Sequence, residues 1–428
     1  MMWMAGISAS ATVYSGDCGA QGDNVRWSLD TETYVLTISG EGDMADYTAD
    51  LSSIPWDHYY YFIESVRIDE GVTSIGEGAF YCTPFLESIR IPGSVASIGY
   101  LAFYSCSSVT SIVVDSSNKV FDSRDDCNAI IETATGRLII GCNNTVIPNS
   151  VTSIGQEAFC NCHNLASIDI PNSVVSIGNA AFLGSGLTSI SIPESVTSIG
   201  SSAFATCKEL KTVGLPHSLT NLGHMAFLGC TSLTSISIPE SVTSIDDAVF
   251  SGCSSLTSIT IPESVTSIGI AAFEGCSGLT SISIPESVTS IGYNIFQNCT
   301  GLTSITVNWQ YPLTAMPLTL AGIDLSTCVL YVPEGTSALY MEAPFWQDFE
   351  NIREFGTSDI DTPRSSSVRV SALSGTIVIS GANENDKVAV YSVSGTLVKT
   401  ARGNGRISLD AKGVYIIKAG TRTFKVRM

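Results

Sequence analysis

One short phrase governs what this chain can fold into. SLTSISIPESVTSIDDAVFSGC, residues 232–253, is followed directly by SSLTSITIPESVTSIGIAAFEGC and then by SGLTSISIPESVTSIGYNIFQNC. A phenylalanine marks each copy, at 80, 103, 159, 182, 204, 227, 250, 273 and 296. The steps are 23, 56, 23, 22, 23, 23, 23 and 23, and prolines at 148, 171, 193, 216, 239, 262 and 285 keep the same beat. Self-similarity at a fixed period of 20–50 residues is the signature of a stacked-repeat architecture. One such unit is too small to bury its own apolar side, so stability comes from contact with its neighbours. The step of 56 marks an insertion at about 116–147, and the step of 22 a single deletion near Gly184-Ser185-Gly186.

The unit decodes by periodicity. In LTSISIP, Leu233, Ile236 and Ile238 are read as inward, and Ser235 and Ser237 alternate with the isoleucines at the period of a strand. Pro239 ends that strand because it has no N–H to give to a ladder. Val242 and Ile245 then belong to a second short strand. The AxxF or AAF segment that follows is expected to form a short helical turn closing the core. The array should therefore be a β-rich solenoid with parallel sheets along its sides.

A cysteine follows three residues after most of these phenylalanines: Cys106, Cys162, Cys207, Cys230, Cys253, Cys276 and Cys299. Metal binding would need clustered ligands. Free cysteine packs as a small hydrophobe, so a ladder of buried thiols is expected. Within the insertion, CNAIIETATGRLIIGC reads as a hairpin about Thr133–Gly136. Pairing Glu132 with Arg137 would set Ile131 opposite Leu138 and Cys127 opposite Cys142, which makes a Cys127–Cys142 disulfide an expectation for an exported protein.

Charge separates two modules. The chain carries 40 acidic and 20 basic residues, a net −20. Residues 368–428 hold ten basic and three acidic residues, or +7, which leaves −27 for residues 1–367. So acidic an array is repelled by phosphate backbones, and no nucleic-acid partner is expected. No apolar run approaches the roughly 18–20 residues needed to span a bilayer. The start, MMWMAGISASATVYSG, has small residues that suit signal-peptide cleavage but lacks a basic n-region. Residues 1–16 are read either as a signal-peptide remnant or as a start without structure.

The repeated motif LxxIxIPxxVxxIGxxAFxxC, written here as SLTSITIPESVTSIGIAAFEGC, resembles the BspA-like leucine-rich repeat family over about residues 71–307. One departure matters. Ordinary leucine-rich repeats place Asn or Cys where this chain has Ser241, Ser264 and Ser287, so a deep asparagine ladder should be absent. Residues 17–70 look like the N-terminal β cap of such proteins, with strands at Val25–Leu29 and Tyr34–Ser39. Residues 308–356 look like the C-terminal cap. Caps are needed because an open end would expose core and strand edge.

A polar linker at 357–367 precedes 368–428, where short alternating strands are separated by turns at Gly381-Ala382-Asn383, Ser394-Gly395, Gly403-Asn404-Gly405 and Lys412-Gly413. That pattern predicts a small antiparallel β-sandwich. Through VYSVSGTLVKT, GVYIIKAG and the terminal KVRM it is similar to the sorting domains of the type IX secretion system. The resemblance implies export, with a final location at the outer-membrane surface or outside the cell.

No catalytic set assembles. His58, His163, His217 and His224 fall in no metal-protease pattern, and there is no nucleophile elbow, phosphate loop or dinucleotide fingerprint. Asp122, Asp125 and Asp126 lack the glycine-centred acidic ladder of a calcium loop. No enzyme activity and no cofactor are expected. The outward residues Ser235, Ser237, Thr243, Ser258, Thr260, Thr266, Ser281, Ser283 and Thr289 are either a solvated surface or a flat polar docking face. The family resemblance implies a monomeric, non-enzymatic surface protein that binds host matrix proteins or other bacteria. The alternative is a glycan-binding accessory protein that uses cap aromatics: Trp56, Tyr59, Tyr60, Trp309 and Tyr311.

Overall fold

Alternating apolar residues start the fold. The structure, a computed structural model, describes residues 12–47, 51–313, 320–355, 369–373, 376–380, 387–392, 396–402, 405–409, 414–419 and 422–427. The linker 357–367, the turns at 381–383, 394–395, 403–404 and 412–413, and residues 1–11 lie outside these. Val13–Gly19, Gly22–Asp30 and Val35–Gly40 form an antiparallel meander. Val25, Trp27, Leu29, Leu36 and Ile38 fill its inner face. Val13–Gly16 already pairs with Trp27–Asp30, so the meander includes residues assigned from sequence to the leader. Val35–Gly40 then pairs in parallel with Ser65–Ile68, and the meander becomes the first rung of the solenoid.

Each coil repeats one plan. Ser235–Ser237 pairs in parallel with Ser258–Thr260, residue for residue, and Ser244–Ile245 pairs with Ser267–Ile268. A tight turn from Pro239 to Val242, closed by a 3.0 Å backbone bond, joins the two strands of a coil. Leu233, Ile236, Ile238, Val242, Ile245, Val249, Phe250 and Cys253 are all buried. The phenylalanines stack ring on ring from Phe159 to Phe296 with centroids 5.0–5.9 Å apart. Each thiol lies behind its ring: Cys253 Sγ donates to the Phe227 carbonyl at 3.2 Å and Cys276 Sγ to the Phe250 carbonyl at 3.2 Å.

The segment expected to be a helical turn is a pair of tight turns instead. Ala248 stands at φ 53° and Gly252 at φ 73°, and left-handed residues cannot continue a right-handed helix. The backbone exchanges helical bonds for bonds between coils. The amides of Ala248, Phe250 and Gly252 donate to the carbonyls of Ile270, Ala272 and Glu274 at 2.8, 2.9 and 2.6 Å. The missing asparagine ladder is replaced by a serine one. Ser241 Oγ donates to the Leu219 carbonyl at 2.5 Å and Ser264 Oγ to Val242 at 2.8 Å.

The insertion is a hairpin with the expected pairs Glu132↔Arg137 and Ile131↔Leu138. The cross-strand disulfide does not follow. A β-bulge between Ile130 and Ile131 pairs Ile130 with Ile140, one residue off the regular register. A one-residue slip sends every later side chain to the other face. Cys127 is therefore buried in the core that runs on towards residue 349, and Cys142 in the core shared with the N-terminal cap. Both thiols are free. Arg137–Ile140 also pairs in parallel with Ser153–Ile154, so the hairpin becomes a rung in its own right.

Ser304–Val307, Val329–Pro333 and Asn351–Phe355 continue the parallel sheet to its end. The helix Ser337–Glu342 places Tyr340 against the last core, beside Trp309, Trp346 and Phe349. Among the described residues no helix is long and apolar enough to cross a membrane. The chain divides into two compact units, Met1–Gly356 and Thr357–Met428. The second unit has two antiparallel sheets. Arg369–Leu373, Thr376–Ser380 and Gly405–Ser408 make one; Leu397–Arg402, Lys387–Ser392, Val414–Ala419 and Arg422–Arg427 make the other. Ile377, Ile379 and Ile407 from the first share a core with Val388, Val390, Tyr415 and Ile417 from the second, as a sandwich requires.

Candidate functional site

Strand alternation fixes what the coils show to solvent. Ser235, Ser237, Ser258, Thr260, Ser281 and Ser283 are all exposed; Ser235 and Ser237 stand in register with Ser258 and Thr260 on one sheet, and Ser281 and Ser283 open the sheet that runs on to the C-terminal cap. Thr243, Thr266 and Thr289 are exposed as well, but they precede the strands of the second sheet. The nine residues thus form two surfaces, not one. The threonines are held in line by their own hydroxyls: Thr266 Oγ1 donates to the Thr243 carbonyl at 3.2 Å and Thr289 Oγ1 to Thr266 at 3.3 Å. Exposed Glu194, Glu240, Glu263 and Glu286 edge these surfaces in the turn after each proline. Glu194 caps the next coil, accepting from the His217 amide at 2.9 Å and from its ring Nδ1 side at 3.1 Å. That contact holds the Glu194 carboxyl below its ordinary range.

The cap aromatics separate sharply. Trp56 is 1% exposed, packed within 5.6–6.1 Å of Phe80, Tyr47 and Trp27. Trp309 is 4% exposed and its Nε1 donates to the Val288 carbonyl at 2.7 Å. Neither tryptophan can stack on a ligand; each closes one end of the core, where a large ring covers the last coil. Tyr59 is half-buried against Tyr14 at 4.3 Å and Tyr60 half-buried against Tyr61 at 4.0 Å. Tyr311 is 76% exposed. The sequence reading missed Tyr61 and Phe85, both more than half exposed with rings 6.1 Å apart. They lie about one repeat apart, a spacing that could have pointed to them.

The ladder thiols are chemically quiet. Burial pushes Cys253 and Cys299 up to about 12, so they stay protonated and non-nucleophilic at neutral pH. Among the described residues no three His, Cys, Asp or Glu side chains are placed to hold a metal ion. Asp122 is engaged by Arg124 Nε at 2.6 Å and by Thr133 Oγ1 at 2.9 Å. A cavity of about 330 Å³ opens where the insertion interrupts the stack, walled by Leu101, Phe103, Tyr104, Ile140, Ala158 and Cys160.

Coils of 23 residues with parallel strands, stacked phenylalanines and a cap at each end define a leucine-rich-repeat solenoid. The family model described as BspA type Leucine rich repeat region matches in six copies over residues 46–132, 140–257 and 243–312. The chain belongs to that family. Among solved structures it is similar to a leucine-rich repeat protein from Eubacterium ventriosum, with 24% identity over 68% of this chain and 95% of that one and a TM-score of 0.43. One from Bacteroides ovatus is 26% identical over 73% and 78%, with a TM-score of 0.41. A leucine rich cell surface protein from Faecalibacterium prausnitzii is 25% identical over 70% and 96%, with a TM-score of 0.36. No curated protein matches the chain.

Proposed function

We propose that the chain is an exported, non-enzymatic surface protein that binds protein partners, on host matrix or on other bacteria, through the outward rows of its solenoid. The observation that carries this reading is the exposed Ser/Thr surface, in register from Ser235 and Ser237 to Ser258 and Thr260 and followed by the exposed Ser281 and Ser283 of the next sheet. Such a surface is flat, polar and nearly free of long side chains, so a partner can approach the backbone closely at small cost in side-chain entropy. Repeat solenoids commonly bind through surfaces of this extended kind. The basic 368–428 unit handles sorting in this reading, by its resemblance to type IX secretion domains.

The test is binding of the full chain to immobilised fibronectin, fibrinogen and collagen at two salt concentrations, with paired charge blocks on the two surfaces. Thr260→Arg and Ser281→Arg mark one row; Thr266→Arg and Thr289→Arg mark the other. Saturable binding lost in one pair and kept in the other supports the reading and names the face. Silence of the unmodified chain on every protein refutes it. A second reading is favoured by the exposure of Tyr311, Tyr61 and Phe85: glycan stacking at the caps. A glycan-array signal lost on Tyr311→Ala or Tyr61→Ala would select it.

A further inference from the structure

Among the described residues from Gly78 to Gly275 the turn-side hydrogen bonds between coils are interrupted at one place, and that place coincides with the cavity. In regular coils the turn side gives three amides to the next coil. Gly78, Phe80 and Cys82 donate to the carbonyls of Tyr100, Ala102 and Tyr104; Glu157, Phe159 and Asn161 donate to Asn179, Ala181 and Leu183. Between these two sets the pattern calls for Leu101, Phe103 and Ser105 to donate to Gln156, Ala158 and Cys160. None of those three bonds forms. The Ala158 carbonyl takes the Gly141 amide instead, at 2.8 Å. The amides of Leu101, Phe103 and Ser105, and the carbonyls of Gln156 and Cys160, have no protein partner among the described residues.

The cause is the hairpin. Ser97–Ile98 ends one sheet, and Arg137–Ile140 stands next to Ser153–Ile154 where a coil strand would otherwise pair. This moves the two flanking coils apart by one extra strand spacing, about 4.8 Å. On the strand side the hairpin fills the added width. On the turn side Ile140 and Gly141 reach it without filling it, and the phenylalanine stack breaks: Phe80 packs on Phe103 and Phe159 on Phe182, with no ring contact from Phe103 to Phe159. Long side chains reach across the opening. Tyr100 donates its hydroxyl to Glu157 Oε1 at 3.0 Å, Gln156 Nε2 donates to the Tyr100 hydroxyl at 3.2 Å, and Asn161 Nδ2 donates to Ser105 Oγ at 3.0 Å.

We propose that this notch is a docking slot for an extended, glycine-containing segment of a partner polypeptide, which enters as the missing rung. One wall offers only donors and the other only acceptors. A peptide main chain in the coil's own turn-side conformation presents carbonyls to the first and amides to the second. Buried backbone groups are rarely left unpaired, so a segment that supplies five partners at once is specifically matched. That conformation places every fourth residue near φ 53–73°, as at Met225, Gly229, Ala248 and Gly252. Glycine adopts it without strain, which favours glycine at those positions, although Met225 and Ala248 also stand there. An apolar side chain between those positions packs against Phe103, since Gly141 already covers the ring of the fully buried Phe159, and the cavity is at the small end of ligand sites, about 300–1,000 Å³. Glu157 at the mouth favours a basic residue beside the entering segment. This slot goes beyond the Ser/Thr rows and lies apart from them.

The probe is a fluorescein-labelled synthetic peptide with the sequence of residues 223–229, GHMAFLG, extended by one lysine at each end and added to the full chain. Anisotropy should show saturable binding, and hydrogen exchange should slow at residues 101–105 when the peptide saturates. N-methylation of alternate peptide amides should weaken binding at least tenfold. Tyr100→Ala, which opens the mouth at an exposed position, should strengthen it several-fold. Binding without protection of 101–105, equal binding of the N-methylated peptide, protection of 101–105 by acetate alone with no effect of the peptide, or no binding to either protein would each overturn the proposal. Matrix-protein binding by the Ser/Thr rows is read in a separate assay, so failure of one claim leaves the other standing.

Discussion

Phe250→Ala probes the stack where it is most regular. Phe250 is fully buried, with Phe227 at 5.9 Å on one side and Phe273 at 5.7 Å on the other. Truncating a buried phenylalanine costs about 3–5 kcal/mol, from lost transfer energy and the cavity left behind. Each stacked ring pair adds about 0.5–1.5 kcal/mol beyond area burial. Phe103 is the internal comparison: it stacks on Phe80 alone, because the hairpin and notch occupy its other side. Phe103→Ala should therefore cost less than Phe250→Ala by about one stacking term, roughly 0.5–1.5 kcal/mol. Guanidinium unfolding of both variants, followed by circular dichroism, gives the comparison. Hydrogen exchange should also show the Phe250→Ala lesion confined to adjacent coils, since repeat arrays couple mainly to nearest neighbours. Equal costs for the two variants, or a Phe250→Ala loss below about 1 kcal/mol, would refute the idea that the ring stack is a main source of cohesion.

Other perturbations have equally definite outcomes. Ser264→Ala removes the donor to the Val242 carbonyl and should lower stability by about 1 kcal/mol, whereas Ser258→Ala on the open surface should be neutral within about 0.5 kcal/mol by the same melts. Trp309→Ala should unfold the C-terminal end by about 3–5 kcal/mol, while Tyr311→Ala should leave the melt unchanged. The buried thiols make stability fall at high pH. The folded state holds the Cys253 proton up to about 12 against an ordinary thiol near 8.5, so its contribution is intact below about pH 8.5 and is lost as pH rises towards 12. Melts at pH 7, 9.5 and 11 should decline, and the decline should be shallower in Cys253→Ala. Deleting 368–428 should leave the melt of Met1–Gly356 unchanged, since the sandwich has its own core. It should also hold the protein in the periplasm, and surface display at the normal level would contradict the sorting role.

Most of the architecture was legible because each repeat states it again. The spacing of Phe227, Phe250 and Phe273 gave the coil length, and the alternation in SISI gave the inward faces. What the sequence hid was local. Nothing in CNAIIE announces the bulge at Ile130, yet it alone sends Cys127 and Cys142 into different cores. Trp56 and Trp309 stand as candidate glycan-stacking rings in the sequence because they lie in the caps, outside the repeats, but end caps need large rings for closure and bury both. AAF suits a helix by composition, but its first residue, as at Ala271 with φ 55°, is left-handed and gives its amide to the neighbouring coil. The notch is the same kind of case. The step of 56 marked its position, but the missing bonds show only when two coils are compared in space.

The turn side of the array also has an electrical direction. In a parallel sheet successive peptide units alternate in sense along the stack, and their dipoles largely cancel. Here the amides of Ala248, Phe250 and Gly252 all point towards the next coil, and the amides of Ala271, Phe273 and Gly275 do the same. Aligned peptide dipoles add, as they do along a helix axis. The solenoid therefore carries a positive pole at its C-terminal end and a negative one at its N-terminal end, set by the backbone and independent of side-chain charge. A coil can be added or lost only head to tail, because a reversed one would set donors against donors. Growth or shortening of such an array by whole in-frame coils keeps this polarity, and so keeps every rung compatible with the next.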